Sequence, residues 1–337
     1  MKVKNVSLEV FILSVSCIFI MLLFSCGIYF LKDEGTALEK EEKSRVSSQK
    51  EESGEEVFLI LNEATNEVEE VTAMEYALGA VMAEMPPDFH IEALKAQSLS
   101  ALTRARYLKK KYEDGKGSFP NCHFSQNPDF NQGFIREENA SKIYKDNTDI
   151  YLNKMKEAAN FAVSREITYE GEPILAAYHA MSAGFTEDCE NVWDRKVPYL
   201  TKTESRGDTL AENFEGSVTV SYGDMKNILQ KAFPEGSFQD GDEKNWIEPL
   251  IISKGGYVEK CLAGNAETDG KTIRKLLDLR SASFIIKADN GNFNITTKGY
   301  GHGVGLSQVG ADFMARQGQT AEEIIEYYYK GAEVNLI

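Results

Sequence analysis

Thr72-Ala73-Met74-Glu75-Tyr76-Ala77-Leu78-Gly79-Ala80-Val81-Met82-Ala83-Glu84-Met85-Pro86-Pro87 is the stretch from which the rest of the chain is read. Thr72 and Glu75 stand three apart, the spacing at which a hydroxyl and a carboxylate cap each other's backbone amides at a helix start. The helix this predicts runs to Met85. It stops at Pro86-Pro87, because proline lacks the amide hydrogen that a helix interior needs. At 100° per residue, Met74, Leu78, Val81, Met82 and Met85 form one apolar stripe facing a core. Glu84 falls outside that stripe and shares a face with Ala73, Ala77 and Ala80, whose small side chains leave room for a partner or a ligand. Apolar Met85 and Pro86 follow it. A carboxyl so placed is desolvated, which disfavours its charged form and raises its pKa. That is what a general acid near neutral pH requires. The same pattern also fits an ordinary solvated glutamate on a short helix.

Upstream, Val57-Phe58-Leu59-Ile60-Leu61 is a strand candidate and Asn62 to Asn66 a turn. Downstream, a second helix is expected over Ile91 to Lys111, with Ile91, Leu94, Ala101, Leu102 and Ala105 on one face. Gly115 to Phe134 has the composition of an irregular loop, and a further helix covers about Asp149 to Ala162. Ile167 to Tyr169 and Ile174 to Tyr178 flank a Glu-Gly-Glu turn as a hairpin. Gly270 to Leu279 opens a helix; Phe284 to Lys287 and Phe293 to Thr297 are strands. No internal repeat and no strict strand–helix–strand alternation is present. The expected class is therefore α+β, a mixed helix and sheet region with a substrate cleft.

The N-terminus bears on the compartment. Lys2 and Lys4 precede an almost unbroken apolar run from Val10 to Leu31, long enough to cross a bilayer as a helix. Positive charge before the span puts the first residues inside and the bulk outside. A cleavable signal peptide is the rival reading, against which stand the length of the run and the lack of a small-x-small site after it. Residues 32–56 are rich in Glu, Lys and Ser, carry no aromatic, and read as a charged tether. The expected organisation is thus a cytoplasmic tip and membrane anchor at 1–31, a tether at 32–56, and an extracytoplasmic catalytic domain at 57–337. A net charge of −16 over 337 residues repels phosphate backbones and argues against nucleic acid as a partner. Cys122, Cys189 and Cys261 lie beyond the span, an odd number that leaves at least one thiol unpaired within the chain.

Three segments carry a resemblance. Met74 to Pro86, followed by Glu92-Ala-Leu-Lys95-Ala-Gln97, resembles the signature of the stage II sporulation protein D family. Tyr178-His179-Ala-Met-Ser182-Ala-Gly184-Phe-Thr186-Glu187 is similar to that family's Ser-Gly-Gly-aromatic-Thr-Glu segment. Leu279-Arg280-Ser281, with Gly299-Tyr-Gly301-His302-Gly303-Val-Gly305-Leu-Ser307-Gln308-Val-Gly310, resembles its closing motif. The three occur in family order over about residues 57 to 330. The family's known members are peptidoglycan lytic transglycosylases that act during engulfment. The resemblance implies that Glu84 is the catalytic acid and base. It also implies that Lys95, Gln97, Ser182, Thr186, Glu187, His302, Ser307 and Gln308 bind substrate. Glycan strands are the implied partner, with stage II sporulation proteins P and M as associates. No cofactor is implied.

The chain departs from the family pattern in places. Leu102 occupies the place of a usual arginine on the second helix, and Ala183 replaces the first glycine of a pair. Some relatives bind zinc through a Cys/His cluster. Here Cys122-His123 is followed by Phe130-Asn131, an incomplete tetrahedral set, so no metal is expected. Gly301 to Gly305 lacks the third glycine of a dinucleotide loop, and Gly264 to Thr272 has one residue too many for a phosphate loop. His302 between glycines is either an accessible ring or one bonded inside a tight turn. Ser182 either meets substrate or caps a turn. Glu187 or Asp188 could supply the second carboxylate of an ordinary glycosidase, which keeps a hydrolytic muramidase as an alternative. A non-catalytic wall-binding amidase enhancer is the other. The topology is testable with intact protoplasts: added protease should digest the tether or the domain, and full protection behind a sealed membrane would overturn it.

Overall fold

The computed structural model describes residues 55–127 and 132–337. The expected span and nearly all of the expected tether lie outside the described residues. No helix among the described residues is long and apolar enough to cross a membrane.

Strands β1 (Val57–Asn62) and β2 (Glu67–Thr72) lead into helix α1 (Ala73–Glu84), as the sequence predicts. Both halves of the capping box are present: the Glu75 amide donates to Thr72 Oγ1 at 3.2 Å, and the Thr72 amide to Glu75 Oε2 at 2.7 Å. Leu78, Val81, Met82 and Met85 of the expected apolar stripe are buried and Met74 is partly so, but Ala73, Ala77 and Ala80 are buried as well. The space beside the alanines is therefore taken by the protein itself. Helix α2 (Ile91–Glu113) packs there, its Ser98 hydroxyl reaching the Ala77 carbonyl at 3.4 Å. Small side chains allow this close approach of two backbones, and Glu84 in the last turn is left only half-buried.

Residues expected as loop contain β3 (Phe124–Ser125), which pairs parallel to β1. Two residues of strand are too short for any periodic signal. Short helix α3 (Ala140–Tyr144) precedes α4 (Thr148–Val163), which packs on α1 and α2. The expected hairpin forms only in part. Strand β4 (Arg165–Tyr169) pairs with β5 (Glu172–Pro173), where Pro173 has no amide to extend the ladder. Strand β6 (Tyr178–His179) leaves the hairpin for a distant partner, and α5 (Cys189–Trp193) follows it.

A second core then builds from β7 (Glu215–Ser221), α6 (Tyr222–Ala232), β8 (Ile247–Ile252), β9 (Val258–Ala263), β10 (Ala266–Thr268), α7 (Gly270–Leu276), β11 (Phe284–Asp289) and β12 (Asn292–Lys298). Two three-stranded antiparallel sheets, β11-β12-β7 and β10-β9-β8, enclose Trp246, Phe293, Leu229 and Ile273. The chain returns to the first core through β13 (Leu306–Ser307), parallel to β6, then α8 (Gln308–Arg316), α9 (Ala321–Tyr328) and β14 (Glu333–Leu336) on the edge of β4. The mixed helix and sheet content makes the fold α+β. Cys122, Cys189 and Cys261 are all buried free thiols.

The return segment explains its glycines. It runs beside residues 177–187, with bridges Met181 to Tyr300 and Glu187 to Val304. Gly303 and Gly305 have φ of +82° and +76°, in the region that L side chains rarely occupy. A Cβ at Gly305 would overlap the Ala177 carbonyl, and one at Gly303 would overlap the Tyr257 hydroxyl. The alternating glycines serve close backbone packing. Gly305→Ala combines a strained φ with a backbone clash and should destabilise by about 3 kcal/mol or more. A thermal melt checks this; an unchanged transition would mean that the crossing relaxes at little cost.

Candidate active site

Glu84 sits at the end of α1 because Pro86-Pro87 forbids another turn. Its Oε1 accepts the Gly133 amide at 2.8 Å. The Gln308 side chain also bonds it, and the Arg104 charge acts on it. Burial pushes the Glu84 carboxyl above the usual carboxylate range, while these three groups pull it back. The result is a carboxyl with a raised affinity for its proton, open to solvent on one side.

Gly133 is placed by its neighbour. Buried Gln132 donates to the Tyr76 hydroxyl and, at 3.2 Å, to the Ala101 carbonyl, and accepts from the Tyr178 hydroxyl at 2.6 Å. The Phe134 ring then stacks on Tyr76 with centroids 5.9 Å apart, and the Ile135 amide bonds the Gly79 carbonyl. Residues 132–135 thus lie along α1 and deliver a backbone donor to its last residue. Helix α2 contributes Gln97 and Arg104, seven residues apart and on one face. Gln97 is fully buried, and its Oε1 accepts from Gln308 Nε2 at 3.4 Å.

The structure gathers Glu84, Gln97 and Gln308 from the expected residues. It places the others elsewhere. Lys95, two positions before Gln97 on α2, is paired with Glu92 at 2.9 Å and Glu157 at 3.2 Å. Ser182 and Ser307 are fully buried and both donate to Asp208, at 2.5 and 2.8 Å. Thr186 is buried too, its hydroxyl accepting from the Thr203 amide at 2.8 Å. Glu187 Oε1 accepts from the Asp188 amide and from Asn191, and its Oε2 from Ser253. Glu187 is 1% exposed, too little for a sugar to reach its carboxylate. Asp188, the other expected second carboxylate, accepts the Lys202 amide at 2.7 Å.

His302 has its ring bonded within the turn. Its Nδ1 accepts the Val304 amide at 3.0 Å, the ring also bonds the Tyr178 backbone, and Trp193 packs on it at 5.1 Å. Burial, with His179 and Arg104 nearby, holds its pKa well below the usual histidine range. Burial thus favours the neutral ring. Around Cys122-His123, His123 Nδ1 accepts the Leu59 amide at 3.1 Å and burial lowers its pKa to about 4. Residues 130 and 131 lie outside the described residues.

Sequence reasoning missed Arg104, Gly133, Gln132, Tyr178 and Asp208 as parts of the site or its frame. Arg104 had a signal, its seven-residue spacing from Gln97. Leu102 at the usual arginine place is buried in the core, five residues from Gln97 and off that face. Gln132 and Asp208 had none, since their contacts span long separations in sequence.

A family model described as "Stage II sporulation protein" matches residues 61–169, which include Glu84, Gln97, Arg104 and Gly133. The chain is similar to stage II sporulation protein D of Bacillus subtilis (strain 168), 31% identical over 96% of this chain and 94% of that protein. It is similar to the protein of that name from Bacillus amyloliquefaciens, 30% identical over 97% and 95%. It is also similar to an amidase enhancer of Bacillus subtilis (strain 168), 25% identical over 75% of this chain and 39% of that protein. Replacing Arg104 tests the electrostatics of the site. Arg104→Met removes a charge that favours ionised Glu84, so the Glu84 titration should move up by as much as about one pH unit. Carboxyl ¹³C shifts against pH measure it; a downward move would mean that the cation acts elsewhere.

Proposed function

The chain belongs to the stage II sporulation protein D family, and we propose that within sporulation it cuts the glycan strands of peptidoglycan as a lytic transglycosylase, with Glu84 as both acid and base. The observation that carries this reading is the half-buried Glu84 carboxyl, whose proton affinity burial raises, with no other described carboxylate among the groups that act on it. A hydrolytic glycosidase needs two carboxyls at a defined separation. Glu187 and Asp188, the two candidates for the second one, accept hydrogen bonds from Asn191, Ser253 and the Asp188 amide and from the Lys202 amide respectively, and neither is among the groups that act on Glu84.

One carboxyl suffices when the substrate supplies its own nucleophile. Protonated Glu84 gives its proton to the oxygen bridging N-acetylmuramic acid and N-acetylglucosamine as the C1–O bond breaks. The carboxylate left behind takes the proton of the muramyl 6-hydroxyl as that oxygen bonds C1. Glu84 ends protonated, and the products are a 1,6-anhydromuramyl end and a free N-acetylglucosamine 4-hydroxyl. The Gly133 amide and the Gln308 side chain keep the carboxyl oriented through both transfers. This reading includes the anchor at residues 1–31, the tether at 32–56 and an extracytoplasmic domain from 57. Stage II sporulation proteins P and M are proposed as associates on the family resemblance.

The likeness to an amidase enhancer favours a second reading, in which Glu84 binds glycan without cleaving it. Mass spectrometry of glycan strands treated with the purified protein separates the cases. Anhydro ends are expected; reducing ends would indicate a muramidase, and intact strands a binding protein. Glu84→Gln keeps hydrogen bonding but cannot transfer the proton, so cleavage should fall at least about 100-fold while strand binding survives.

A further inference from the structure

Gln97 presents a side-chain nitrogen that the site leaves without a partner. The residue is fully buried, and its Nε2 makes no hydrogen bond. A buried donor in that condition is unfavourable. It lies one amide away from Glu84: Gln308 Nε2 donates to Gln97 Oε1 at 3.4 Å, and the same Gln308 side chain bonds the Glu84 carboxyl. In this arrangement Gln308 offers N–H groups both ways, which suits an ionised Glu84.

We propose that Gln97 and Gln308 form a reversible amide relay that keeps Glu84 hydrogen-bonded in both of its protonation states. The inference rests on the reading of Glu84 as the proton-transferring group. A protonated Glu84 needs an acceptor for its O–H. The terminal torsion of glutamine is soft and two-fold, so each amide can turn over in place. With both turned, Glu84 donates to Gln308 Oε1, and Gln97 Nε2 donates to the second lone pair of the same oxygen. The stranded nitrogen then has its partner. No covalent bond forms or breaks in the turn, and the proton remains on Glu84. Turning Gln97 leaves its Oε1 on the unpaired side, and a buried carbonyl without a partner is tolerated more readily than a buried N–H, so the pair adds to burial in favouring the acid form. Gln97 and Gln308 are positioning residues; neither gives nor takes the proton.

The charged and titratable groups facing Glu84 are Arg104 from α2, Tyr76 from α1 and Tyr178 from β6. None of the three is substituted when Gln97 is changed, so the test bears on the relay. The full chain without substrate is labelled with ¹³C at glutamate carboxyls, and the Glu84 signal is assigned by its loss in Glu84→Gln. Gln97→Leu removes the stranded donor from the ionised state, and the proton affinity of Glu84 should fall about tenfold. If Gln97 only fills space, an alkyl group in its place deepens the desolvation, and the affinity rises or stays the same. Either of those results overturns the relay. Gln97→Met gives a second packing of the same position, and a melt of each variant confirms that it is folded. The alkaline limb of kcat against pH should move down with the titration. Loss of cleavage is not needed for the titration, so failure of the relay is distinguishable from failure of the transglycosylase reading.

Discussion

The buried carboxylate of Asp208 organises the molecule around it. It is fully buried, and burial raises its pKa against the pull of its donors. The donors include the Ser182 amide at 2.8 Å, the Ser182 hydroxyl and the Ser307 hydroxyl. Those serines belong to two stretches more than a hundred residues apart, and a desolvated carboxylate without them would be strongly unfavourable. Ser307 also caps α8, accepting the Gly310 amide at 3.2 Å. The first residue of that helix is Gln308. The chain of dependence therefore runs from Asp208 through Ser307 to the side chain that touches Glu84.

This arrangement gives the three sequence segments different work. The first supplies Glu84 and Gln97, and the third adds Gln308 to them. The second and third pair with one another, and their polar residues hold that pairing. Ser182, Thr186, Glu187 and His302 spend their hydrogen bonds inside the fold. Type and spacing single out such residues equally well for a cleft or a frame, because buried polar groups must be satisfied in either case.

Local rules made much of the fold legible. The capping box, the proline stop and the two helical periodicities located α1, α2 and α4 to within a residue or two. The Asn290-Gly291 turn, with φ of +48° and +80°, joins β11 and β12, which the sequence placed at Phe284 to Lys287 and Phe293 to Thr297. The site was legible where it was local: Glu84 at a helix end, with its burial inferred from Met85 and Pro86. It was illegible where partners come from afar. The Gly133 amide lies 49 positions along the chain and Gln308 more than two hundred, and no periodicity carries that information. The alanine face was read as open space, because helix geometry alone does not say which neighbour fills it. Lys95 was placed with Gln97 by the family resemblance, and about 200° of rotation separates the two on an ideal helix.

The three buried cysteines carry a consequence for how the chain matures. Burial raises the pKa of each thiol, that of Cys261 to about 11. Thiol–disulfide exchange proceeds through the thiolate, so these sulfurs are poor partners for it. Among the described residues the fold is reached without an oxidation step, and this part of the chain makes no demand on disulfide-forming enzymes, whatever the redox state of the space in which it works.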